Sequence, residues 1–254
     1  THDLAWIADH IPEGSDAKLT DITEDWGTLS LMGPKARDVL AKVTSADVSH
    51  EAFPFGHVRE IEIAGHTVRA LRVTYVGELG WELHVPTEYA AHVERRLREA
   101  GADLGLRDVG YRAIDSLRME KGYLYWSADI TPDYTPYEAG LGLRVHLKSK
   151  GDFIGRAALA AQKQSGVARR LCCFEGDADL PLFGGETILK GGAVVSLASS
   201  AASCPSVGRS LLYGYLPQAL CAETAFELEA FSARHAIRRV DGPLYDPENH
   251  KLKA

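Results

Sequence analysis

Residues Arg107–Ala158 read RDVGYRAIDSLRMEKGYLYWSADITPDYTPYEAGLGLRVHLKSKGDFIGRAA. The first third has helical period, and the spacing predicts a helix over 107–121. Leu106, Val109, Ala113, Ile114 and Leu117 fall on one stripe, the pattern of a helix that buries a single face. Glu120 is the next position on that stripe, and Gly122 follows as a stop signal. A carboxylate facing a core is costly unless donors meet it. Two readings follow: an internal group such as Arg112 or Arg118 satisfies Glu120, or a ligand does. Tyr123, Tyr125 and Trp126 come at once, and then a polar loop from Asp129 to Glu138. Pro132 and Pro136 forbid helix in that loop and hold it extended. Acid, rings and stiffened loop together suit a flat, nitrogen-rich heterocycle, the acid accepting from ring N–H groups and the rings covering its faces. The plainer reading is an aromatic cluster that caps the core.

Working outward, residues 3–11 read as a short helix ended by Pro12 and Gly14. Residues 18–31 read as strand with a turn near Asp25. Gly33-Pro34 opens a helix at Lys35, with Ala36, Val39, Leu40 and Val43 on its buried face. Strands 57–63 and 66–76 pair around Ala64-Gly65. In the second of them Leu71, Val73 and Tyr75 share a face; Trp81, Leu83 and Val85 share one in the next strand, leaving Glu82 on the opposite side. Tyr75 to Glu82 is then strand-turn-strand, with Gly77 and Gly80 available for positive φ and Glu78 at the tip. Helices follow over 87–100, 107–121 and 153–164. After Ser165-Gly166 the pattern changes to strands at 168–175, 187–190, 193–198, 207–215, 225–230 and 235–240, with Gly-rich turns between them. That is the signature of a small antiparallel barrel. The expected class is α+β: antiparallel sheets with flanking helices over residues 1–165, then a C-terminal antiparallel β-barrel over 166–254.

Composition narrows the function. The chain has 254 residues, 45% of them hydrophobic, enough for one large or two to three small folded domains. A net charge of −7, with Lys/Arg runs never longer than two, argues against nucleic acid as a partner. No apolar stretch approaches the roughly 20 residues of a membrane span, and no signal peptide opens the chain. Cys172, Cys173, Cys204 and Cys221 lack metal-ligand spacing and read as small buried hydrophobes. The ten histidines form no HxxxH pair, and the two HxxE spacings, His10–Glu13 and His57–Glu60, have no further His or Cys ligand clustered with them, so no metal is expected. No GxSxG motif and no dinucleotide-binding loop is present; the glycine pairs near Phe183 and Lys190 read as turns.

Several blocks together carry a resemblance. Arg118-Met-Glu-Lys-Gly-Tyr-Leu-Tyr, Thr135-Pro-Tyr-Glu-Ala-Gly-Leu, Lys150-Gly-Asp-Phe-Ile-Gly-Arg and Tyr75-Val-Gly-Glu-Leu-Gly-Trp-Glu resemble the glycine-cleavage T-protein (aminomethyltransferase) family. His2-Asp-Leu-Ala-Trp-Ile, Leu31-Met-Gly-Pro-Lys-Ala-Arg and Pro243-Leu-Tyr-Asp-Pro-Glu-Asn look more like the folate-binding C-terminal half of dimethylglycine and sarcosine dehydrogenases. The matches run in order from His2 to Asn249.

The resemblance implies a tetrahydrofolate-binding one-carbon transfer module. In those dehydrogenases a separate upstream domain or subunit carries FAD and oxidises an N-methyl group. The folate module then collects the carbon as 5,10-methylenetetrahydrofolate, positioning the reactants without a covalent protein intermediate. Carried over by motif, Glu120 binds the pterin amine and ring N–H with Glu82 nearby; Tyr75, Tyr123 and Tyr125 line the cleft, and Glu78 is a further acidic candidate. The family's catalytic Asp falls upstream of Thr1, so the sequence is expected to lack the start of the folate module and to hold no catalytic residue of its own. Ser196-Leu-Ala-Ser-Ser-Ala stands where the family has Gly-x-x-Thr-Ser-Gly. The implied location is the cytoplasm, or the mitochondrial matrix in a eukaryote. Two other family roles are weighed: a free-standing aminomethyltransferase, which the dehydrogenase-like end pieces disfavour, and a non-catalytic folate binder assisting iron–sulfur assembly. The latter carries Lys-Gly-Cys-Tyr-x-Gly-Gln, against Lys121-Gly-Tyr-Leu-Tyr-Trp-Ser here.

Overall fold

The computed structural model describes residues 2–149 and 151–254; Thr1, and Lys150 at the head of one quoted motif, lie outside the described residues. The chain divides into two compact units, each with its own apolar core.

The first unit takes residues up to Thr74, Glu78–Arg107 and Leu252–Ala254. It contains α1 (His2–Asp9), β1 (Trp26–Met32), α2 (Ala36–Ala41), β2 (Val58–Ile63), β3 (His66–Leu71), β4 (Gly80–Pro86) and α3 (Thr87–Gly101). The strands make one antiparallel sheet in the order β1-β4-β3-β2. Two-residue alternation selects its buried side: Trp81, Leu83 and Val85 of β4, Val68 and Ala70 of β3, and Ile61 and Ile63 of β2. Val39 and Leu40 of α2 and Val93 and Leu97 of α3 complete that core. Glu82 lies on the other side of β4 from Trp81, as its spacing predicts. Ala64 and Gly65, both at positive φ, turn β2 into β3 with Ile63 opposite His66, the two-residue hairpin expected from sequence.

Three expectations fail in this unit. Residues 18–25 are not strand, because Asp21 accepts from the Thr23 backbone (3.0 Å) and hydroxyl (2.6 Å) and turns the chain locally. β3 stops at Leu71, so Leu71, Val73 and Tyr75 do not share a face. There the fully buried Arg72 takes over and donates to Phe53 O (2.6 Å) and Ala254 O (2.7 Å). Gly80, expected in the turn, is the first residue of β4, and Gly77 alone of the two has positive φ.

The second unit takes Tyr75–Gly77 and Asp108–Lys251. It contains α4 (Tyr111–Glu120), α5 (Arg156–Ser165), β5 (Arg169–Gly176), β6 (Thr187–Lys190), β7 (Ala193–Cys204), β8 (Arg209–Pro217), β9 (Ala225–Ala230) and β10 (Ala233–Val240). Six strands close into an antiparallel barrel, β10-β5-β8-β7-β6-β9, so no edge is left to be blunted. The α+β class with its small C-terminal barrel is therefore the fold of this chain. Phe174, Ile188, Leu212, Leu216, Phe226, Leu228 and Ile237 pack together as its core. β8 is buried at every position from Ser210 to Leu216, because α4 packs against the barrel there and leaves no solvent side. Gly214 is required in that strand, since a Cβ would come within 2.7 Å of Ile188 Cδ1 and 3.1 Å of Leu197 O.

The predicted helix over 107–121 is shorter than its stripe. Gly110, extended at ψ 164°, precedes the first turn, and α4 begins at Tyr111. Val109 is 55% exposed, and burial is concentrated instead at Arg118, Met119 and Glu120. The periodicity located the helix, whereas contact with β7 and β8 through its last turn decides what it buries.

Candidate functional site

The end of α4 carries three charged residues into the interior: Arg118, Glu120 and the capping Lys121 are all buried. Charges so placed need partners, and Arg118 has one for each nitrogen. Nε donates to Asp115 Oδ1 (2.8 Å), one terminal nitrogen to Asp129 Oδ2 (2.6 Å) and Tyr123 O (3.0 Å), and the other to Ser200 Oγ (2.7 Å). Asp129, itself fully buried, accepts further from Tyr125 N (2.9 Å) and Ser199 Oγ (2.6 Å). Burial alone lowers the Arg118 pKa, but the carboxylates of Asp129 and Asp115 outweigh it and hold the guanidinium above its ordinary value.

Ser199 and Ser200 reach one charge pair because β7 is irregular there. Consecutive residues of a regular strand point to opposite faces. The register of β7 against β8 shifts between Ala198 and Ser200, and the extra residue turns both hydroxyls towards the Arg118–Asp129 pair. A cavity of about 310 Å³ opens beside this network, with Tyr75, Asp115, Arg118, Tyr125 and Ser199 in its wall. Tyr75 and Tyr123 lie nearly parallel, centroids 6.1 Å apart at 10°, and Tyr75 donates its hydroxyl to Leu124 O (3.0 Å). Burial pushes both phenols up, so they are neutral donors at physiological pH. Tyr125 is 46% exposed, with the Arg118 guanidinium 5.9 Å from its ring centroid. Gly77, which follows Tyr75 at φ +76°, is fixed by space as well as by φ; a Cβ would fall 2.8 Å from Lys121 Cγ.

Glu120 is fully buried, as its spacing requires. Its Oε1 accepts from Ser206 N (2.9 Å) in the β7–β8 turn, and its Oε2 has no hydrogen-bond partner among the described residues. Neither Arg112 nor Arg118 pairs with it; the Arg118 fork is committed to Asp115 and Asp129. The structural reading of Glu120 as the mate of one of those arginines is thus corrected. Its carboxylate engages Ser206 and does not line the tyrosine cavity. Glu78 and Glu82 belong to the first unit. Glu82 stands on β4 between Ser30 and Leu71, 3.9 Å from His84 Nε2, and Glu78 is half-buried in the loop before that strand.

Of the six residues selected from sequence, Tyr75, Tyr123 and Tyr125 come together. Glu120 neighbours them in the chain but faces another way. Sequence reasoning missed the role of Asp129, and it noted Ser199 and Ser200 only within the departing Ser196–Ala201 motif and Arg118 only within its own motif. Among the described residues no group of three or more His, Cys, Asp or Glu side chains is placed to hold a metal ion, and no helix is long and apolar enough to cross a membrane.

Comparison with known proteins extends over nearly the whole chain. Residues 1–149 match the GCVT N-terminal domain, and residues 169–246 match the glycine cleavage T-protein C-terminal barrel domain. Mitochondrial sarcosine dehydrogenase of Homo sapiens is 46% identical over 247 residues, covering 94% of this chain and 27% of that protein. Mitochondrial dimethylglycine dehydrogenase of Homo sapiens is 36% identical over 257 residues, covering 99% of this chain and 30% of that protein. The chain therefore spans between a quarter and a third of the length of these relatives. Among solved structures, glycine cleavage system aminomethyltransferase T from Bartonella henselae superposes with a TM-score of 0.77 at 27% identity, covering 87% of this chain and 60% of that one.

Proposed function

Because this chain belongs to the glycine-cleavage T-protein family, with both family domains matched in order, we propose that it is a tetrahydrofolate-binding one-carbon transfer module. We assign it to an FAD-dependent dehydrogenase of the sarcosine or dimethylglycine type, with the flavin held by an upstream domain or a partner subunit. The identity to mitochondrial sarcosine dehydrogenase supports that assignment. A division at residue 165 into folate-binding region and barrel goes with the reading; the gap between the two matched domains, 149 to 169, supports it.

The observation that carries the folate reading is Glu120 Oε2, a buried carboxylate oxygen without a partner among the described residues. A buried acceptor left unmet costs on the order of 1–3 kcal/mol, more when charged, and a ring amine or N–H removes that cost. The rings at Tyr75, Tyr123 and Tyr125 suit a flat heterocycle, and Glu120, which faces Ser206 and not their cavity, is the acid that the family motif assigns to it. Bound tetrahydrofolate supplies the nucleophilic amine nitrogens that take up the one-carbon unit. In this reading Glu120 accepts from the heterocycle's N–H groups, and Glu82 and Glu78, which belong to the first unit, are further acidic candidates carried over by motif. The tyrosines exclude water, and the Arg118–Asp129 pair keeps Tyr125 in place through its backbone N–H.

Glu120→Gln in the full-length protein tests this. The amide oxygen can still accept from Ser206 N, and a buried charge without a cation is removed. The ligand-free protein should therefore melt at an unchanged or slightly higher temperature. The amide NH₂ cannot accept from a pterin N–H, so affinity for 5-formyltetrahydrofolate should fall tenfold to a hundredfold, the loss of about 1.5–3 kcal/mol expected for a charge-assisted bond. A clear drop in ligand-free melting temperature with unchanged affinity would overturn the assignment.

A further inference from the structure

A second cavity of the barrel unit, about 490 Å³, has Cys172, Cys173, Cys221, Arg170, Arg239 and Asp241 among its lining residues. Cys172 sits on β5, and Cys221 directly follows the short 3-10 turn Gln218–Leu220 that leaves β8. Both are free thiols, and their sulfurs lie 4.0 Å apart. A disulfide needs about 2.05 Å between sulfurs, so each has to move by only about 1 Å, within reach of side-chain rotation. From this juxtaposition we propose that Cys172 and Cys221 form an oxidation site, which a hydroperoxide closes to an intramolecular disulfide.

The two thiols have different parts. Cys221 is the more accessible, half-buried against the buried Cys172. Arg170 and Arg239 are among the residues lining the same cavity. The Cys221 thiolate attacks one peroxide oxygen; the O–O bond breaks, the other oxygen leaves as water with the thiol proton, and Cys221 becomes a sulfenic acid. Cys172 sulfur then attacks Cys221 sulfur, and the hydroxyl leaves as a second water with the Cys172 proton. Two thiols lose two electrons in all, and one peroxide gains them. Burial pushes the Cys172 thiol up to about 12, so Cys172 is not the thiol that meets the peroxide first.

The other two cysteines are excluded by position. Cys173 borders the same cavity, but as the next residue on the strand it packs with Cys204 and Met119. Burial pushes Cys173 and Cys204 thiols to about 12 as well, and Cys204 is fully buried. No adjacent-residue link between Cys172 and Cys173 is expected.

The test uses the reduced full chain, treated with hydrogen peroxide, quenched with a maleimide and read by intact mass and peptide mapping. The expected result is loss of two of the four thiols and a mass lower by about 2 Da before alkylation, restored by dithiothreitol. The linked peptides should carry Cys172 and Cys221. Cys221→Ser should abolish the link, but mapping of the unaltered protein decides the matter by itself. A link between any other pair, intermolecular dimers in its place, or oxygen added to Cys221 with no link formed overturns the proposal.

Discussion

At the scale of single residues, the Arg118–Asp129 pair decides how the end of α4 is held. Both side chains are 1% exposed or less. A buried pair adds little compared with apolar residues of the same shape, yet removing one partner strands a charge and typically costs about 3–5 kcal/mol. Asp129→Ala should therefore lower stability by roughly that amount, softened by the Asp115 carboxylate that still touches Arg118 Nε. The double variant Arg118→Met/Asp129→Ala should recover part of the loss, because no charge is then left unpaired. Urea unfolding of the three proteins gives both numbers. A single variant within about 1 kcal/mol of the parent, or a double variant no more stable than Asp129→Ala, would show that the pair does not hold the helix end.

At the scale of elements, what was legible in the sequence is what local chemistry fixes. The barrel strands were visible because apolar runs alternate with Gly-rich turns, and the hairpin at Ala64-Gly65 because two residues at positive φ leave few alternatives. The start of α4 was misread where Gly110 interrupts a continuous stripe. Tyr123 and Tyr125 stood out as a pair because only Leu124 separates them in the chain. The contacts of Ser199 and Ser200 were not legible, because they reach Asp129 and Arg118 across 70 and 82 residues and only through a bulge in β7. The segment after β10 shows the same dependence on distant partners. Asp246 accepts from Lys121 Nζ (3.2 Å) and from the backbone N–H groups of His250 (2.9 Å) and Lys251 (3.1 Å). Burial raises its pKa, but these donors outweigh burial and hold the carboxyl below the ordinary range. A carboxyl with a lowered folded pKa contributes fully above the unfolded value, roughly pH 4, and loses that contribution as pH falls through the folded one. Amide protection across residues 243–251 should accordingly be steady near neutrality and weaken below about pH 4. Asp246→Asn should weaken it already at neutral pH. Protection that is flat through the acid range would rule out this clamp.

At the scale of the whole molecule, the chain builds two cores of its own, one on the four-stranded sheet and one in the closed barrel. A ligand adds stability only where it binds, by about 2.7 kcal/mol at a concentration a hundred times its dissociation constant. Amides that exchange by opening of the binding region should then slow by up to about a hundredfold. The proposed folate contacts lie in two stretches, 75–82 and 117–126, the first crossing from one unit to the other in sequence and the second running from the last turn of α4 through the tyrosine loop. Titrating 5-formyltetrahydrofolate into the full-length protein should protect both stretches in parallel with saturation, while most barrel strands beyond residue 165 keep their exchange rates. Tyr125, the most exposed of the three candidate tyrosines, should show the largest change in side-chain accessibility among them over the same titration. Protection confined to residues beyond 165 would move the ligand to the barrel, and protection nowhere would remove folate from this chain. Either result would leave the family membership standing and overturn the function drawn from it.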